Sequence, residues 1–416
     1  MLPLGHRIVL STNSSEGTPQ TEGPRGPLSG ITVLDLSSYI AGPYGCSLLA
    51  DMGACVIKIE PPAGDTLRLY PSTLAQESRA FLGTNRSKLG VVLDLKHPEG
   101  RAVLHRLLGS ADVLVHNFRP SVPARLGIDY EACQAINARL IYCALTGFGE
   151  TGPLKEKAGY DQVLQSMSGI CAFQGTPEGG PEIVYGSVVD FYAGSLIAGG
   201  VSAALFHRER TGEGQYVGVS LLRTALAMQS TRFIWAECEG RDVNRDMRSG
   251  GITGIHPTLE GHIYISANTP HFWQSLCELV GLPELAADPR FDTIRKRAQL
   301  AHEIVPKIRA ALMQKTALEW EQVFGELVPS SSVRPIEDMF DHPQSQAEKL
   351  VATYRHPVVG KYRGMGKAWK FGATPGPEPF AAPVLGVDTV AVLKRYGYTT
   401  EEIAHFEELG VIPCRS

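Results

Sequence analysis

The sequence lacks a large excess of charge of either sign. Its 416 residues include 39 Lys and Arg and 43 Asp and Glu, which gives a formal net charge of −4 at pH 7. A near-neutral chain has no general basic field that would attract nucleic acid or an anionic membrane. We therefore expect no nucleic-acid or membrane partner, and a polyanionic ligand would be bound by a few well-placed cations.

The sequence also lacks the cysteine patterns of metal sites and disulfide-rich folds. Its 8 cysteines are scattered without a CxxC pair and without histidines at the spacing of a zinc site. A chain of this length has room for a large hydrophobic core and needs no disulfide framework. We therefore expect no bound metal and a reducing, cytoplasmic location.

Long hydrophobic runs are missing as well. Residues 195–206 form one of the most apolar stretches, which is shorter than the ~20 residues that span a bilayer. Residues 1–26 contain no apolar segment of the length found in a secretory signal. We expect residues 1–26 to be a flexible leader and the remainder to be a soluble protein.

Short apolar runs alternate with amphipathic segments from residue 31 onward. These runs are typical of strands buried on both faces, and they cover residues 31–36, 55–59, 90–95, 112–117, 140–145 and 215–219. Apolar residues at helical spacing lie between several of them. The alternation predicts an α/β fold with a largely parallel sheet, helices on both faces and ligands beyond the carboxyl ends of the strands.

The composition and the spacing of apolar residues change in the second half of the sequence. We expect a long helix over residues 221–239. Polar sequence interrupted by glycines follows this helix, and several amphipathic helices come after it. Residues 350–383 are rich in proline, glycine and basic residues, so we expect irregular structure there. These changes predict a large domain over residues 27–230 and 345–416 and a smaller α/β domain, with its linkers, over residues 231–344.

One glycine pattern matches a nucleotide-binding fingerprint. Residues 147–152 read GxGxxG after a predicted strand. Pro153 and the charged Lys155 follow where a helix should open, which disfavours dinucleotide binding. A nucleotide-dependent oxidoreductase stays an alternative function, which the binding of NAD(H) would distinguish.

Several ordered motifs resemble those of the family III CoA-transferases, a group that includes formyl-CoA and carnitine CoA-transferases and the related α-methylacyl-CoA racemases. In the middle of the chain they are AGYD at 158–161, QSMSG at 165–169, VVDFYAG at 188–194 and ALFHRERTGEGQ at 204–215. The N-terminal half agrees through LDL at 34–36, AGP at 41–43, LADMGA at 49–54, VIKIE at 56–60, NFRP at 117–120 and RLG at 125–127. The resemblance extends over about residues 27–220.

The resemblance implies that Asp190 is the nucleophile of CoA transfer. A carboxylate that attacks an acyl-CoA forms an aspartyl-acyl anhydride, and the released CoA thiolate can return to form an aspartyl-CoA thioester. An incoming carboxylic acid then takes over the CoA. The alternative interpretation of Asp190 is a helix N-cap, because it precedes an apolar run. Both roles are compatible, since a helix N-terminus favours an ionised carboxylate.

Tyr160 distinguishes two branches of the resemblance. The racemases place a histidine at this position to exchange the α-proton, whereas transferases can carry tyrosine. With an unperturbed pKa near 10, tyrosine is a poor proton-exchange base at neutral pH. Tyr160 therefore favours a transferase, with an acyl-CoA racemase or isomerase as the alternative. The neighbouring Asp161 either orients the site or caps the helix expected from residue 162.

The family's CoA-contacting positions correspond to Ala41, Leu93, Lys96, Asn117 and Arg125. CoA carries a 3′-phosphate and a pyrophosphate, so Lys96 and Arg125 are the natural phosphate partners. Ala41 is expected on the adenine side. CoA enters as the thioester substrate, and no permanently bound cofactor is expected.

Other residues are weaker candidates for the CoA site. Pro61 stands where some relatives have an arginine, which leaves Arg68 as a candidate substitute. Further cations that fit the motifs less well are Arg86, Lys88 and Arg119. The glycine-rich residues 249–254 either close over the site as a flap or form an ordinary linker.

The resemblance also implies an architecture and an assembly. It implies a large Rossmann-like domain that carries the CoA site and a homodimer whose two chains interlock. The expected substrates are an acyl-CoA and a free carboxylic acid, whose identities the motifs do not indicate. A non-catalytic CoA-binding protein is the remaining alternative, and it would show neither transfer nor proton exchange.

Overall fold

The computed structural model describes residues 25–74, 76–176, 179–240 and 252–414. Most of the predicted leader and residues 249–251 of the predicted flap lie outside these residues. The strands are β1 (Thr32–Asp35), β2 (Cys55–Glu60), β3 (Lys88–Val92), β4 (Val113–His116), β5 (Ile141–Thr146), β6 (Gly175–Thr176), β7 (Gly180–Pro181), β8 (Tyr216–Ser220), β9 (Gly254–Pro257), β10 (His262–Ile265), β11 (Ser330–Ser332), β12 (Val351–His356) and β13 (Gly360–Met365).

Helices account for most of the remaining regular structure. They are α1 (Ala41–Asp51), α2 (Arg79–Thr84), α3 (Pro98–Leu108), α4 (Ser121–Leu126), α5 (Tyr130–Ile136), α6 (Asp161–Met167), α7 (Ile170–Phe173), α8 (Val188–Thr211), α9 (Leu221–Ala227), α10 (Pro270–Leu279), α11 (Pro283–Ala287), α12 (Ile294–Gln299), α13 (Ala301–Leu312), α14 (Ala317–Phe324), α15 (Pro343–Ala347), α16 (Thr389–Arg395) and α17 (Thr400–Glu408). Short 3₁₀ turns cover Thr66–Leu69, Pro289–Phe291 and Ile336–Phe340. The chain divides into two compact units, one holding the residues up to Ile234 and from Pro343 onward, the other Trp235–His342.

The first unit is built on a six-stranded sheet in the order β3-β2-β1-β4-β5-β8. Every neighbouring pair in it is parallel. The prediction of an α/β fold with a parallel sheet is therefore confirmed. The strand order reverses direction between β1 and β4, and in open sheets of this kind ligands bind beyond the carboxyl ends of the strands at such a point.

Both faces of the sheet are covered. Along β1, Val33 belongs to a core cluster shared with α1 and α8, whereas Leu34 belongs to a second cluster shared with α3, α16 and α17. Successive side chains of a strand point to opposite faces, so the two clusters lie on opposite sides of the sheet. This burial on both faces explains why the strands read as continuous apolar runs.

Helices α1 and α8 approach each other closely through two glycines. A Cβ atom at Gly194 would lie 2.8 Å from a ring carbon of Tyr44 and 2.9 Å from the carbonyl oxygen of Ala41. A Cβ atom at Gly45 would lie 2.9 Å from the carbonyl oxygen of Gly194. The missing side chains let the two backbones pack together, which holds the N-terminal end of α8 beside the loop that precedes α1.

Helix α8 also stands out for its length. Among the described residues it is the helix whose length and composition would suit a membrane span, with 44% of its apolar window buried inside the protein. It packs on the sheet through residues such as Val189, Ala193 and Ile197, which are fully buried. The core helix of a protein without a membrane span meets the same criteria.

Two local predictions are wrong. The helix expected over residues 221–239 ends at Ala227, because the Gln229 amide donates to the carbonyl of Ala225 and the Ser230 hydroxyl donates to that of Ala227. These side chains compete with the N–H groups that would continue the helix.

The second wrong prediction concerns residues 350–383, which we expected to be irregular. This segment contains the antiparallel hairpin β12–β13, in which the rings of Tyr354 and Tyr362 stack with centroids 5.0 Å apart.

The second unit is a small α/β arrangement. Strands β9, β10 and β11 form an antiparallel sheet, and helices α10 to α14 lie within the same unit. Its core includes Trp273 and Trp320, both almost fully buried. Helix α14 starts with a capping box between Thr316 and Glu319, a sequence signal for a helix N-terminus.

Candidate active site

Two cavities open at the carboxyl ends of the parallel strands in the first unit. The smaller, of about 230 Å³, is lined by Asp190 and Tyr160 and is called the Asp190 cavity below. The larger, of about 570 Å³, is lined by Lys96 and Arg125 and is called the Lys96 cavity. Ser38, in the loop after β1, lines both. A ligand that extends past Ser38 would therefore reach from one cavity into the other.

Asp190 is the third residue of α8. The helix begins after Ser187, which has a left-handed backbone with φ of 57° and makes no capping hydrogen bond through its side chain. The interpretation of Asp190 as the N-cap is therefore wrong, because Asp190 lies inside the first turn. Its partly buried carboxylate lines the Asp190 cavity, next to the N-terminal end of the helix dipole.

The surroundings of Asp190 disfavour its charge. Burial, together with the nearby Asp161 carboxylate, raises the pKa of Asp190 to about 7. Within the described part of the chain, no cation pairs with the Asp190 carboxylate. When ionised, this group is poorly solvated and unpaired, which is the condition of a reactive nucleophile.

Asp161 anchors the start of α8. It begins α6, and its buried carboxylate reaches across to accept hydrogen bonds from the backbone N–H groups of Val189 at 2.7 Å and Asp190 at 3.0 Å. The Gln165 amide donates to the other carboxylate oxygen of Asp161 and to the carbonyl of Val184. Asp161 thus caps α8, a distant helix, and fixes the backbone of Asp190 itself.

We expect Asp161→Asn to move the pH dependence of activity. Loss of the Asp161 charge lowers the pKa of Asp190, so the acid limb of a kcat/KM profile should shift to lower pH. Loss of charge-assisted hydrogen bonds should also cost about 1–3 kcal/mol of stability. The control is Asp129→Asn, whose carboxylate caps the short helix α5 and lines neither cavity. An unshifted acid limb in folded Asp161→Asn would contradict this prediction.

Three tyrosines line the Asp190 cavity. The ring of Tyr39 meets that of Tyr160 edge to face with centroids 5.5 Å apart and that of Tyr70 with centroids 6.2 Å apart. A hydrogen bond to Tyr160 raises the pKa of Tyr39 to about 12. The sequence analysis singled out Tyr160 but missed Tyr39 and Tyr70. The signal for Tyr39 was its place directly after a strand end and before the AGP motif.

The Lys96 cavity contains three of the cations that could meet CoA phosphates. Lys96 and Arg125 are exposed at its wall, and the buried Leu93 supplies an apolar surface. The third cation is Arg101, which the sequence analysis missed. Its guanidinium donates to the carbonyl of Leu95 at 3.1 Å and to that of Lys96 at 2.9 Å, so it also holds the loop that carries Lys96.

Two predicted CoA contacts lie on the other side of Ser38. Ala41 and Asn117 line the Asp190 cavity and not the Lys96 cavity. The Asn117 amide accepts a hydrogen bond from the N–H of Ser38 at 3.0 Å and donates to its carbonyl at 2.8 Å. Asn117 therefore shapes the boundary between the two cavities.

Most of the weaker candidates are used elsewhere in the structure. Three of these cations make buried or partly buried ion pairs, namely Arg68 with Glu60 and Glu77, Arg86 with Asp51, and Lys88 with Asp35. Arg119 is exposed and lines neither cavity. In the parts of the chain that the structure describes, no group of three or more His, Cys, Asp or Glu side chains could hold a metal ion.

The GxGxxG pattern does not form a dinucleotide-binding turn. That fingerprint requires a helix to open at its glycines, and here the next helix, α6, begins only at Asp161. Gly147 instead packs against Gly159, where a Cβ atom would lie 2.8 Å from the Gly159 Cα. The lack of a side chain at Gly147 lets two loop segments approach each other closely.

Comparison with known proteins decides the family. The model of CoA-transferase family III matches residues 28–389. This chain belongs to that family. It is 36% identical over 344 residues to the acetyl-CoA:oxalate CoA-transferase of Acetobacter aceti, covering 81% of this chain and 88% of the relative. It is 35% identical to the succinate–glutarate CoA-transferase of Agrobacterium fabrum, covering 78% of this chain and 84% of the relative.

Solved structures agree with the family assignment. A point mutant of Rv3272 from Mycobacterium tuberculosis superimposes with a TM-score of 0.79 at 30% identity, covering 90% of this chain and 100% of the other. A CAIB/BAIF family protein from Brucella suis gives a TM-score of 0.77 at 28% identity, covering 89% and 100%. The resemblance seen in the motifs is therefore confirmed, and this family III CoA-transferase is an enzyme that uses acyl-CoA as a substrate.

Proposed function

We propose that this enzyme moves CoA from an acyl-CoA to a free carboxylic acid through covalent intermediates on Asp190. The observation that carries the proposal is the unpaired carboxylate of Asp190 in a small cavity that adjoins a larger cavity lined by cations. Lys96, Arg125 and Arg101 hold the phosphates of CoA in the Lys96 cavity. The thioester end passes Ser38 and reaches Asp190.

The first half of the proposed reaction exchanges the acyl group for CoA on the enzyme. The ionised Asp190 carboxylate attacks the thioester carbonyl carbon, the carbon–sulfur bond breaks, and the CoA thiolate leaves as an aspartyl-acyl anhydride forms. The thiolate then attacks the Asp190 carbonyl carbon. The original acid departs as its carboxylate, and Asp190 is left as a CoA thioester.

The second half runs the same steps with the acceptor acid. The acceptor carboxylate attacks the Asp190 carbonyl carbon and displaces the CoA thiolate, which forms a second anhydride. The thiolate then attacks the acceptor's acyl carbon, which produces the new acyl-CoA and returns the Asp190 carboxylate. No net proton is gained or lost, so Asp190 needs no partner base, in keeping with the lack of a histidine among the described residues that line its cavity.

We propose small acids as the transferred acyl groups. The Asp190 cavity holds only about 230 Å³, and the two relatives compared above are named for the small acids oxalate and glutarate. A screen of free acids of increasing length with one acyl-CoA donor, read by mass spectrometry of the CoA products, should show activity that falls as the acid lengthens. Equal activity with long-chain acids would contradict the small-acid assignment.

The covalent intermediates provide a direct test. Incubation of the enzyme with acyl-CoA and hydroxylamine should convert Asp190 to its hydroxamate, because both the anhydride and the thioester are activated at the Asp190 carbonyl carbon. Peptide mass spectrometry should locate the modification at Asp190 and leave Asp161 unmodified. Enzyme without acyl-CoA is the control. An unmodified Asp190, combined with solvent deuterium entering the α-carbon of the acyl-CoA, would support a racemase.

We further propose a homodimer with an interlocked arrangement and a cytoplasmic location. Large apolar side chains of the first unit are exposed near α8, among them Tyr185 at 93% and Phe206 at 65%, and such surface is typical of an interface. All eight cysteines are free, which suits a reducing compartment. We also propose that the first compact unit is the CoA-binding domain and that the second is the small domain expected from the sequence. Sedimentation equilibrium tests the assembly, and a monomer would contradict it.

A further inference from the structure

We propose that His116 is a positioning residue for CoA, which acts by closing the chain segment that carries Arg125. This segment runs over residues 118–128 and is called the Arg125 segment below. The inference rests on the proposed function, in which Arg125 binds a phosphate of CoA. It is carried by hydrogen bonds that connect both ends of the segment, directly or through Tyr142, to the buried His116.

The Arg125 segment forms part of the wall of the Lys96 cavity. Its central part is α4 (Ser121–Leu126), and four of its residues line the cavity, namely Phe118, Val122, Arg125 and Leu126. Arg125 is exposed, and a helix of 6 residues has little stability without tertiary contacts. The position of the Arg125 guanidinium therefore depends on the contacts that hold the two ends of the segment.

His116 holds the N-terminal end of the Arg125 segment. It is the last residue of β4, its side chain is buried, and it lines neither cavity. The N–H of Phe118 donates to Nδ1 of His116 at 3.2 Å, and the two rings stack with centroids 5.4 Å apart. The same side chain therefore fixes both the backbone and the ring of Phe118.

Tyr142 connects His116 to the C-terminal end of the segment. The buried Tyr142 hydroxyl lies 2.8 Å from Nε2 of His116 and donates to the carbonyl of Ile128 at 3.0 Å. Ile128 is fully buried and follows Gly127, which ends α4. His105, on α3, donates to the neighbouring carbonyl of Gly127 at 2.9 Å. The C-terminal end therefore has a second anchor that does not depend on His116.

These hydrogen bonds define which nitrogen of His116 carries the proton. The single hydrogen of the Tyr142 hydroxyl is used at the carbonyl of Ile128, so the Tyr142 oxygen accepts and Nε2 of His116 donates. Nδ1 accepts from the N–H of Phe118 and carries no hydrogen. His116 is thus a neutral imidazole with both nitrogens paired, and burial lowers its pKa to about 4. Buried hydrogen bonds in such a chain strengthen one another.

The test uses His116→Phe, which keeps an aromatic ring beside Phe118 but makes neither hydrogen bond. We expect the KM for acyl-CoA to rise about 10-fold, as for loss of one charge-assisted contact to phosphate. The value of kcat should change less than about twofold, because His116 does not line the Asp190 cavity. The kcat/KM for an acyl-pantetheine thioester, which lacks the phosphates that Arg125 binds, should also stay within about twofold of the wild-type value.

Tyr142→Phe is the second, milder variant. It removes the link to Ile128 and leaves the contact between His116 and Phe118 in place. Because His105 still holds the C-terminal end, we expect the KM for acyl-CoA to rise only about threefold. The double variant His116→Phe/Arg125→Gln should have the same KM as Arg125→Gln alone, because His116 acts through Arg125.

Two matched controls come from the hairpin β12–β13. Tyr354 is a buried tyrosine that donates to the backbone carbonyl of Met365, and His356 is a buried histidine whose Nδ1 accepts from the N–H of Val358 at 3.2 Å. Neither lines the Lys96 cavity or the Asp190 cavity. Tyr354→Phe and His356→Phe lose comparable buried hydrogen bonds and should keep the wild-type KM for acyl-CoA.

Three results would overturn the inference. The first is a wild-type KM for acyl-CoA in His116→Phe or, if that variant does not fold, in Tyr142→Phe. The second is a double variant whose rise in KM equals the product of the single rises. The third is an equal loss of kcat/KM with acyl-CoA and with the acyl-pantetheine thioester, which would show a general loss of structure.

Failure of the proposed function is distinguishable from failure of this inference. A CoA phosphate bound elsewhere would appear as a wild-type KM for acyl-CoA in Arg125→Gln alone. Chemistry at another residue would appear as an unmodified Asp190 in the hydroxylamine experiment with the wild-type enzyme. A raised KM in Arg125→Gln together with a wild-type KM in His116→Phe would contradict the positioning role only.

Discussion

Asp190→Asn should abolish CoA transfer, with a loss of kcat/KM on the order of 10⁴-fold or more. The asparagine side chain has nearly the same size as the aspartate it replaces, so the cavity stays intact, but its amide cannot form the anhydride. Asp190→Ala should be equally inactive, which excludes restored activity through deamidation of the asparagine. Initial rates with one acyl-CoA donor and one acceptor acid measure the effect, and Asp129→Asn serves as the control with wild-type activity.

The same substitution should stabilise the protein at high pH. Burial and Asp161 raise the pKa of Asp190 from 3.8 to about 7, so the folded state binds this proton more tightly than the unfolded state. The resulting cost to stability is absent below about pH 4, grows as pH rises, and is complete above about pH 7, where it is on the order of 1–4 kcal/mol. Asp190→Asn removes this cost.

Thermal unfolding across a pH series measures this gain. The Tm of Asp190→Asn should exceed that of the wild type at pH 8, and the two values should converge near pH 4. Asp129→Asn, whose amide oxygen can still accept the capping hydrogen bond from the N–H of Ala132, should have nearly the wild-type Tm at pH 8. A Tm difference between Asp190→Asn and the wild type that does not change with pH would show that Asp190 is an ordinary, well-solvated carboxylate.

Removing the cations of the Lys96 cavity should produce the second largest effect. We expect Lys96→Gln and Arg125→Gln each to raise KM for acyl-CoA about 10-fold and the double variant about 10²-fold, because each loses a charge-assisted contact to phosphate. The value of kcat should change little, since neither residue lines the Asp190 cavity. Steady-state kinetics at fixed ionic strength provide the measurement.

A substrate without phosphates separates binding from a general loss of structure. An acyl-pantetheine thioester lacks the nucleotide of CoA, so its kcat/KM should be nearly the same in the wild type and in the double variant. Arg119→Gln, which removes an exposed cation from the same region of the chain without touching either cavity, should leave both substrates unaffected. An unchanged KM for acyl-CoA in the double variant would place the nucleotide outside the Lys96 cavity.

Local sequence signals were sufficient for the parallel sheet and for most of its helices. The apolar runs that predicted β1, β2, β4 and β5 agree with the structure to within one or two residues at each end, because burial on both faces leaves a continuous local pattern. The predictions for residues 221–239 and 350–383 failed because side chain to backbone hydrogen bonds and cross-strand ring stacking decided those segments. Neither interaction produces a repeating pattern of residues that the sequence would reveal.

The sequence by itself determined the fold class, the family and the residues that its motifs share with relatives, because hydrophobic periodicity and short motifs are local properties. Tertiary structure alone decided how the charged and polar groups are used. It committed Lys58 and Lys88 to buried carboxylates, brought Asp161 to the first turn of the helix that carries Asp190, and turned Tyr39 toward Tyr160. These contacts join residues from different elements of the fold, and their energies depend on burial and distance, which exist only once the chain has folded.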